Sequence, residues 1–356
     1  MVPAFAKRSL RSQLRRGEAP GGIFVPIRVI HIGLGPIGAG VVRQVASRKG
    51  FLIVGAVDID PAKAGKDLGE VCAVGRKLNV KVADDITKAI KASRPDVAVL
   101  CTSSSLKKVV PEFEAVLKLK VPIVSTTEEL AYPVKSNASA AKKIDALAKR
   151  SRVAVLGTGV NPGFLMDALP IMLTGVCESV QAIEVDRVQD ARVRRLPFQK
   201  KIGAGDTREQ FMDRVKDGSV RHVGLAESIT MIADAMGWKL DRVTDDIQPK
   251  IAEKRVTSEF LTVEAGQVAG LIQDGVGYRK GEPIIKLHME AYLGAPESYD
   301  AVRIAGKPPL SMKLAGGVHG DIATTSITVN SIPKVLAAPP GLRTMRDVAL
   351  PSYFGG

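Results

Sequence analysis

A glycine-rich turn lies between the first apolar strand pattern and the first helix pattern of this 356-residue chain. The strand pattern covers residues 28–32, the helix pattern covers residues 37–47, and the turn reads Gly33-Leu34-Gly35-Pro36-Ile37-Gly38. In this context the first glycine permits a tight turn, the second lets a pyrophosphate approach the backbone, and the third lets the helix pack against the strand. The free N–H groups at the helix start would then bind the phosphates. The turn therefore predicts a dinucleotide-binding site.

Short apolar strands alternate with helix patterns from residue 27 to residue 156. Further strand patterns follow at residues 51–57, 96–101, 121–125 and 152–156. Strands separated by helices of about 10 to 16 residues are typical of a parallel, doubly wound sheet. We therefore predict an α/β protein in which residues 27–160 form a Rossmann domain.

After Gly157 the pattern changes to helices followed by longer strands rich in valine, isoleucine and threonine. The strand pattern at residues 284–293 alternates apolar and polar side chains, as expected for a sheet with one solvated or ligand-facing side. Residues 161–320 are predicted to form an α+β domain for substrate binding and dimerisation, with a mixed or antiparallel sheet. A last helix pattern at residues 321–338 could return to the first domain, and residues 339–356 are predicted to form a C-terminal tail.

The chain is basic, with a net charge of +14, and part of this charge lies in residues 1–26. Those residues contain arginine and serine but only one acid, Glu18, which resembles a flexible arm or an organelle transit peptide. Aromatic residues make up only 4% of the chain, and neither an RNP motif nor a cysteine–histidine finger is present, so nucleic-acid binding is not expected. The charge instead suits an anionic cofactor or substrate.

The cysteines are three in number and widely spaced, at Cys72, Cys101 and Cys177. This pattern fits neither a disulfide framework nor a zinc site. It favours a reducing compartment, either the cytoplasm or an organelle if residues 1–26 are a transit peptide. No stretch of about 18 apolar residues could cross a bilayer. We therefore expect a soluble protein that uses neither a membrane nor a metal.

Asp58 ends the second strand pattern, 25 residues beyond Gly33. A carboxylate at this place accepts hydrogen bonds from the ribose hydroxyls of NAD and repels the 2′-phosphate of NADP, which favours NAD. Asp60 and Lys63 lie in the same loop and either could change that preference, so use of NADP stays open. Hydroxyl side chains follow the next two strands at their carboxyl ends, where ligands bind in open α/β sheets. The hydroxyl residues expected to contact the cofactor are Thr102, Ser103, Ser104 and Thr126.

Glu128 and Glu129 come directly after these hydroxyl residues, near the place where the nicotinamide is expected. Hydride transfer at a carbon that bears nitrogen needs a group that holds an ammonium, accepts its proton and later activates water, and a carboxylate in a cleft can do all three. Two acids at the start of a helix would also be favoured by the helix dipole alone. Their position by itself leaves both interpretations open.

Several longer segments resemble one known family. The segments are residues 57–69, 125–133, 157–167, 186–191, 199–205, 222–228 and 316–324. They are similar to the 2,4-diaminopentanoate dehydrogenases and the related amine dehydrogenases, over most of residues 27–338. The resemblance implies a fold like that of dihydrodipicolinate reductase, a homodimer, and a reversible NAD(P)-dependent reaction. In that reaction an amine and water give a ketone or aldehyde and ammonium.

The resemblance also implies roles for individual residues. A glutamate of the Glu-Glu pair is the acid/base in that family, and we expect Glu128 to take this role, with Glu129 in reserve. Asn161 resembles the asparagine that lines the cleft, where its amide could orient the nicotinamide carboxamide or the substrate. Further candidates for the pocket wall are Arg187, His222 and Thr324.

Two other classes of protein remain open. One is another dehydrogenase of the same superfamily, such as dihydrodipicolinate reductase or a homoserine-type dehydrogenase. The paired histidines of the reductase are not visible here, because the four histidines are isolated from one another: His31, His222, His288 and His319. The other class is a regulator that senses NAD(P) without turnover. The substrate also stays open between a diamino acid, such as 2,4-diaminopentanoate, and a small alkyl amine.

Overall fold

A computed structural model describes residues 25–356, which divide into two compact units. The first unit contains the chain up to Val160 together with Gly320–Gly356, and the second is Asn161–His319. The chain therefore passes from one unit to the other twice, and the last helix belongs to the first unit. The predicted N-terminal arm lies, up to residue 24, outside the described residues.

The first unit is built on a parallel sheet, as the sequence predicts. Among the described residues its strands, numbered along the chain, are β1 (Ile27–Ile32), β2 (Phe51–Val57), β3 (Val82–Ala83), β4 (Val97–Leu100), β5 (Ile123–Ser125), β6 (Ala154–Gly157) and β15 (Gly341–Arg343). Their order in the sheet is β15-β6-β5-β4-β1-β2-β3, and every neighbouring pair is parallel. The reversal of strand order beside β1 is the feature that creates a ligand crevice at the carboxyl edge.

Helices bury the strands of this sheet. They are α1 (Pro36–Ala46), α2 (Leu68–Val71), α3 (Ile86–Ser93), α4 (Leu106–Lys118), α5 (Ala138–Ser151) and α10 (Gly320–Ala337). Ile30 and Ile32 of β1 pack in one apolar cluster with Phe113 of α4 and Ile144 of α5. A separate cluster joins α1 to β2 through Val42 and other apolar side chains. Burial of both faces explains why these strands are apolar throughout rather than alternating.

The second unit carries a mixed sheet, in agreement with the predicted α+β domain. Its strands are β7 (Ser179–Asp190), β8 (Arg242–Ile251), β11 (Val268–Arg279), β12 (Glu282–Tyr292), β13 (Tyr299–Lys307) and β14 (Leu310–Ala315). Their order is β14-β13-β7-β12-β11-β8; β7 and β12 are parallel and the other neighbours are antiparallel. Two short strands, β9 (Val256–Thr257) and β10 (Thr262–Val263), form a separate antiparallel pair.

Four helices of the described residues belong to this unit: α6 (Ala168–Leu173), α7 (Leu196–Lys201), α8 (Arg208–Lys216) and α9 (Leu225–Ala235). Helix α9 lies against β11, where Gly275 and Gly277 leave the space that Leu225 and Ile229 fill. A Cβ atom at either glycine would come within 2.9 Å of Ile229. The two glycines in β11 are therefore explained by close packing of a helix on the strand.

The end of the chain has more structure than its sequence pattern indicates. Residues 339–356 read as a tail, yet Gly341–Arg343 form the edge strand β15 beside β6. Further along, Phe354 packs edge-on against Phe51, with ring centroids 5.3 Å apart, and its carbonyl accepts a hydrogen bond from Arg48. A strand of three residues is too short to produce an alternating pattern, so the sequence does not reveal it.

His31 is a fully buried polar side chain in the middle of β1. Strand pairing places it beside Ala56 of β2 and Val99 of β4, and its Nε2 atom has no hydrogen-bond partner within residues 25–356. Burial lowers the pKa of His31 to about 3. The imidazole is therefore neutral at physiological pH and serves as part of the core.

We expect His31→Leu to remove an acid sensitivity of the fold. The pKa of His31 falls from 6.5 to about 3 on folding, so the unfolded chain gains this proton first as the pH drops. The stability present above pH 6.5 is then lost at up to about 1.4 kcal/mol per pH unit. Urea unfolding at several pH values between 7 and 4 should show a smaller loss in the variant than in the wild type; the loss that remains includes that of His222, whose pKa is also lowered by burial.

His288 provides the control, because folding shifts its pKa in the opposite direction. Burial lowers the pKa of His288, but hydrogen bonds and charge interactions with Asp274 and Glu290 raise it further, so that the net shift is upward. His288→Gln should therefore make the loss of stability toward acid slightly larger, because the stability that protonation of His288 adds is removed. Parallel pH profiles for the wild type and His31→Leu would contradict the interpretation.

Candidate active site

The glycine turn after β1 has the geometry of a phosphate cradle. Gly33 has a φ of +85°, and a Cβ atom there would lie 2.7 Å from the carbonyl oxygen of Cys101. A Cβ atom at Gly38 would lie 2.0 Å from the carbonyl oxygen of Gly33, so α1 rests directly on the turn. Gly35, by contrast, has open space around its missing Cβ. The turn thus combines two positions that exclude a side chain with one that leaves room for a ligand.

Helix α1 begins at this turn with its N–H groups exposed to the crevice. Pro36 is in the first turn, where no intrahelical N–H bond is lost, and Gly35 is the N-cap residue without a side chain to occupy the helix end. Ile37 follows in the same turn. A helix start of this kind offers backbone donors and the positive end of the helix dipole, which favour an anion such as a phosphate.

Asp58, directly after β2, connects the second strand to the glycine turn. Its Oδ2 atom accepts from the backbone N–H of Leu34 at 2.7 Å and from Nζ of Lys63 at 3.0 Å, and its Oδ1 atom accepts from the backbone N–H of Asp60 at 2.9 Å. Burial by itself raises the pKa of Asp58, but these donors and the ammonium of Lys63 lower it below its ordinary value. The carboxylate is ionised and held at the place where the adenosine ribose of a dinucleotide is expected.

Hydroxyl residues line the loop after β4. The methyl group of Thr102 abuts Gly33, and its hydroxyl donates to Oε2 of Glu112 at 2.6 Å. The hydroxyl of Ser103 accepts from the backbone N–H of Ser105, which is the N-cap of α4. Burial raises the pKa of Glu112, and the hydrogen bond from Thr102 opposes it. Glu112 is an acid beside the glycine turn that sequence reasoning missed, because its helical pattern places it on a surface.

The loop after β5 is held by two buried hydroxyls. Ser125 donates to the carbonyl of Leu100 at 3.0 Å and accepts from the backbone N–H of Thr127 at 3.1 Å. The backbone N–H of Thr126 also donates to Leu100, and its side chain is hydrogen-bonded to Cys101. These bonds join the ends of β4 and β5. They fix the direction in which the chain enters the turn that carries Glu128 and Glu129.

The two adjacent glutamates have different surroundings. Both lie in a 3₁₀ turn, Glu128–Leu130, at the carboxyl edge of the sheet. Oε2 of Glu129 accepts from the backbone N–H of Leu106 at 2.7 Å, and the backbone N–H of Glu129 donates to the carbonyl of Ser104 at 3.2 Å. Because Ser105 makes no side-chain cap, the Glu129 carboxylate caps the N-terminus of α4. Glu128 is partly buried, and its Oε2 atom is shielded from solvent.

In the second unit, Asn161 lies in a tightly held turn. Its side chain is buried, its Nδ2 atom contacts Sδ of Met166 at 2.9 Å, and its Oδ1 atom has no hydrogen-bond partner in the described part of the chain. Oδ2 of the fully buried Asp167 accepts from the backbone N–H of Gly163 at 2.7 Å and from the hydroxyl of Ser228 at 2.8 Å. Burial raises the pKa of Asp167, and these donors oppose the shift. Asp167 therefore positions the Asn161 turn, a role that the sequence shows only as an acid before a helix.

Arg187, on β7, is buried in an ion pair with Asp300 of β13. The same guanidinium donates to the carbonyl of Val318 at 2.9 Å, and Asp300 accepts from the backbone N–H of Val318 at 2.8 Å. Burial lowers the pKa of Arg187, while Asp300 opposes this shift. The charge of Arg187 is matched within its own unit, which favours a structural role for this residue.

His222 lies in a basic region of the same unit. Its backbone N–H and carbonyl are both bonded to the side-chain amide of Gln273, at 2.8 and 3.0 Å, and among residues 25–356 its buried Nε2 atom has no partner. Burial lowers the pKa of His222 well below its ordinary value, and nearby cations lower it further. These cations are Lys201, Arg187, Arg194 and Arg221. Because Arg187 is paired with Asp300, the cations that add to a positive potential beside the neutral imidazole are Lys201, Arg194 and Arg221, and such a potential favours an anion.

The sequence-derived residues therefore fall into two groups. The glycine turn, Asp58, the hydroxyl loops and the glutamate pair share the carboxyl edge of the first unit's sheet. Thr324 also belongs to this unit, on α10, where its hydroxyl accepts from the backbone N–H of Val160 at 3.4 Å. The second unit holds Asn161, Arg187 and His222.

Two further searches cover the described residues only. No group of three or more histidine, cysteine, aspartate or glutamate side chains in residues 25–356 is placed to hold a metal ion. Across the same residues, no helix combines the length and the apolar character needed to cross a membrane.

Two protein-family models match the chain and together cover most of it. Residues 27–157 match the N-terminal domain of dihydrodipicolinate reductase. Residues 164–356 match the C-terminal domain of 2,4-diaminopentanoate dehydrogenase.

Individual relatives agree with these matches. The chain is 35% identical to 2,4-diaminopentanoate dehydrogenase of Acetoanaerobium sticklandii over 341 residues, covering 93% of this chain and 95% of the relative. It is 22% identical to an amine dehydrogenase of Streptomyces virginiae over 351 residues, covering 91% of this chain and 96% of the relative. The solved structure of an amine dehydrogenase from Mycobacterium smegmatis superposes with a TM-score of 0.82 at 25% identity, covering 93% of this chain and 98% of that structure.

We expect Glu129→Ala to destabilise the first unit by about 1 to 2 kcal/mol, because the N-terminus of α4 loses its carboxylate cap. Glu129→Gln keeps an acceptor oxygen for the N–H of Leu106 and should lose less than half as much. Urea unfolding of both variants beside the wild type measures the difference. Equal stability of Glu129→Ala and the wild type would show that the cap is not needed.

Because Arg187 and Asp300 form a buried pair, we expect substitutions of the two residues to have non-additive effects on the free energy of unfolding. Asp300→Leu leaves Arg187 charged and uncompensated in the interior and should cost about 3 to 5 kcal/mol, as should Arg187→Met. The double variant Arg187→Met with Asp300→Leu removes both charges and should be more stable than either single variant. Additive losses in a double-mutant cycle of unfolding free energies would contradict the pairing.

Proposed function

Because the chain belongs to the 2,4-diaminopentanoate dehydrogenase family, we propose that it catalyses the reversible oxidative deamination of an amine with Glu128 as acid/base. It is an NAD(P)-dependent oxidoreductase that acts on a carbon–nitrogen bond. In the forward direction an amine and water are converted to a ketone or aldehyde and ammonium, while oxidised cofactor becomes reduced cofactor. In reverse the same site performs reductive amination.

The residues of the first unit suit a nicotinamide dinucleotide. Gly33 and Gly38 hold a turn that any side chain would disrupt, Gly35 leaves open space, and Asp58 provides an ionised carboxylate at the ribose position. The proposed contacts to the rest of the cofactor come from Thr102, Ser103, Ser104 and Thr126. When bound, the cofactor supplies the acceptor and donor of hydride. The protein supplies orientation, exclusion of water and proton transfer.

The different surroundings of the two glutamates support the choice of Glu128. The carboxylate of Glu129 is bonded to the N-terminus of α4, and releasing it would expose a free N–H at that helix end. Glu128 lies one residue earlier in the same turn and is not part of that cap. It is held in place by the bonded ends of β4 and β5. A fixed carboxylate in a partly buried position requires little reorganisation when positive charge develops on the substrate.

Glu128 is proposed to act three times in one turnover. It first accepts a proton from the substrate ammonium, which frees the nitrogen lone pair, and releases this proton to solvent. As a carboxylate again, it then stabilises the positive carbon–nitrogen group that remains after hydride has left the carbon. Finally, it takes a proton from the water that attacks this carbon and gives it to the nitrogen, so that ammonium departs as the carbonyl forms.

Asn161 and the basic region around His222 support a substrate with polar groups. The unpartnered Oδ1 atom of Asn161 can accept a hydrogen bond from an amine or from a carboxamide. The cations beside His222 favour an anionic group. We therefore propose that the substrate is an amino acid with a second amine, such as 2,4-diaminopentanoate, rather than a plain alkyl amine. The homodimer and the reducing compartment stay predictions of the sequence.

The decisive experiment compares Glu128→Gln with Glu129→Gln. Consumption of NADH and of NADPH is followed with a panel of ketones and aldehydes, with and without a carboxylate, in concentrated ammonium. Loss of the acid/base should lower turnover by about 100-fold or more in Glu128→Gln. Glu129→Gln has the same change of charge one residue away and should retain turnover, because its role is structural.

The alternatives give different results. Turnover that does not depend on ammonium would indicate another dehydrogenase of the superfamily. Cofactor binding without turnover of any carbonyl or amine would indicate a sensor of NAD(P). An unaffected Glu128→Gln variant would exclude the proposed mechanism.

A further inference from the structure

The loop after β2 contains an ion pair at the expected ribose position. Nζ of Lys63 lies 3.0 Å from Oδ2 of Asp58 and 3.6 Å from Oδ2 of Asp60, and the Lys63 side chain is 26% exposed. We propose that Lys63 allows the protein to use both cofactors, by pairing with Asp58 when NAD(H) is bound and with the 2′-phosphate when NADP(H) is bound. The proposal rests on the proposed function only in that a nicotinamide cofactor binds at the glycine turn.

While Lys63 is paired with Asp58, the number of further hydrogen bonds that the Asp58 carboxylate can accept is limited. A carboxylate has about four lone-pair sites. Three are taken by the N–H groups of Leu34 and Asp60 and by the ammonium of Lys63. The paired carboxylate can thus accept from one further donor, and a second site opens when Lys63 turns away. With Lys63 paired, one ribose hydroxyl of NAD(H) fills the remaining site; with NADP(H) the 2′-position carries a phosphate instead of a hydroxyl, so the site that Lys63 vacates is not needed.

The charges around this loop explain why a cation is needed for NADP(H). Asp58 and Asp60 bring two negative charges, and a phosphate monoester adds about −1.5 to −2 at neutral pH. Hydrogen bonds and Lys63 keep the pKa of Asp58 below its ordinary value, so the phosphate approaches an ionised carboxylate. Lys63 is in contact with both acids and can neutralise the phosphate without leaving the loop.

Movement of Lys63 requires only its side chain. The backbone N–H groups of Lys63 and Ala64 donate to the carbonyl of Asp60, and the N–H of Gly65 donates to Val82 of β3, so the loop backbone is held on both sides. The lysine stem is flexible and its ammonium is a strongly hydrated point charge, which suits a group that exchanges partners. Burial lowers the pKa of Lys63, but Asp58 and Asp60 raise it further, so the side chain is a cation in either arrangement.

Direct binding measurements on the full chain test this inference without any amine substrate. Dissociation constants of NADH and NADPH are obtained from nicotinamide fluorescence for the wild type, Lys63→Ala, Lys63→Arg and Lys66→Ala. Lys66 is an exposed lysine three residues further along the same loop, so Lys66→Ala removes the same charge as a matched control. The wild type should bind both cofactors.

Lys63→Ala should weaken NADPH binding by about 10-fold or more and change NADH binding by less than about threefold, because only the 2′-phosphate loses its counter-ion. Lys63→Arg should restore NADPH binding, since a guanidinium also pairs with phosphate. Equal weakening of NADH and NADPH in Lys63→Ala, or an equal effect of Lys66→Ala on NADPH, would overturn the role of Lys63. Normal cofactor selectivity in a protein without amine turnover would contradict the proposed function and leave this inference standing.

Discussion

The glycine turn between β1 and α1 excludes a side chain at two places, and the rest of the first unit is arranged around that contact. A Cβ atom at Gly38 would lie 2.0 Å from the carbonyl of Gly33, so the helix can approach the strand only because both residues are glycine. This approach sets the start of α1, where we propose that the phosphates bind, directly after the turn. The bond from Leu34 to Asp58 then connects the turn to the end of β2.

Two neighbouring glutamates at the same edge of the sheet are assigned different roles. Glu129 satisfies the N-terminus of α4, a helix whose own N-cap serine does not do so. This bond fixes the short turn and so determines where Glu128 stands. The catalytic proposal for Glu128 therefore depends on a structural bond made by the residue beside it. The buried hydroxyl of Ser125 adds to this support: it donates to the carbonyl of Leu100 in β4 and accepts from the backbone N–H of Thr127.

Charge is used differently in the two units. In the second unit the buried Arg187 is neutralised by Asp300, and the pair also satisfies both backbone groups of Val318. In the first unit Lys63 and Asp58 form a pair that is partly open to solvent. A buried pair with further hydrogen bonds is costly to separate, whereas a pair whose lysine is partly open to solvent is less costly to separate because water can solvate the ammonium. This difference explains why we assign Arg187 to structure and Lys63 to ligand selection.

The sequence by itself determined the parallel sheet of the first unit, the α+β character of the second and the position of the glycine turn at which we propose that the dinucleotide binds. Those features depend on local patterns, such as apolar runs, helical periodicity and a glycine turn. Such patterns involve residues that are close in the sequence, so they can be recognised without the tertiary structure. Tertiary structure decided the short edge strand β15, the buried neutral His31, the contact between Glu112 and Thr102, and the bonds that distinguish Glu128 from Glu129. Each of these joins segments that are distant in the chain: Glu129 bonds to Leu106, and β15 pairs with β6. A pattern of neighbouring residues does not predict such contacts, because hydrogen bonding and burial depend on which segments the fold brings together.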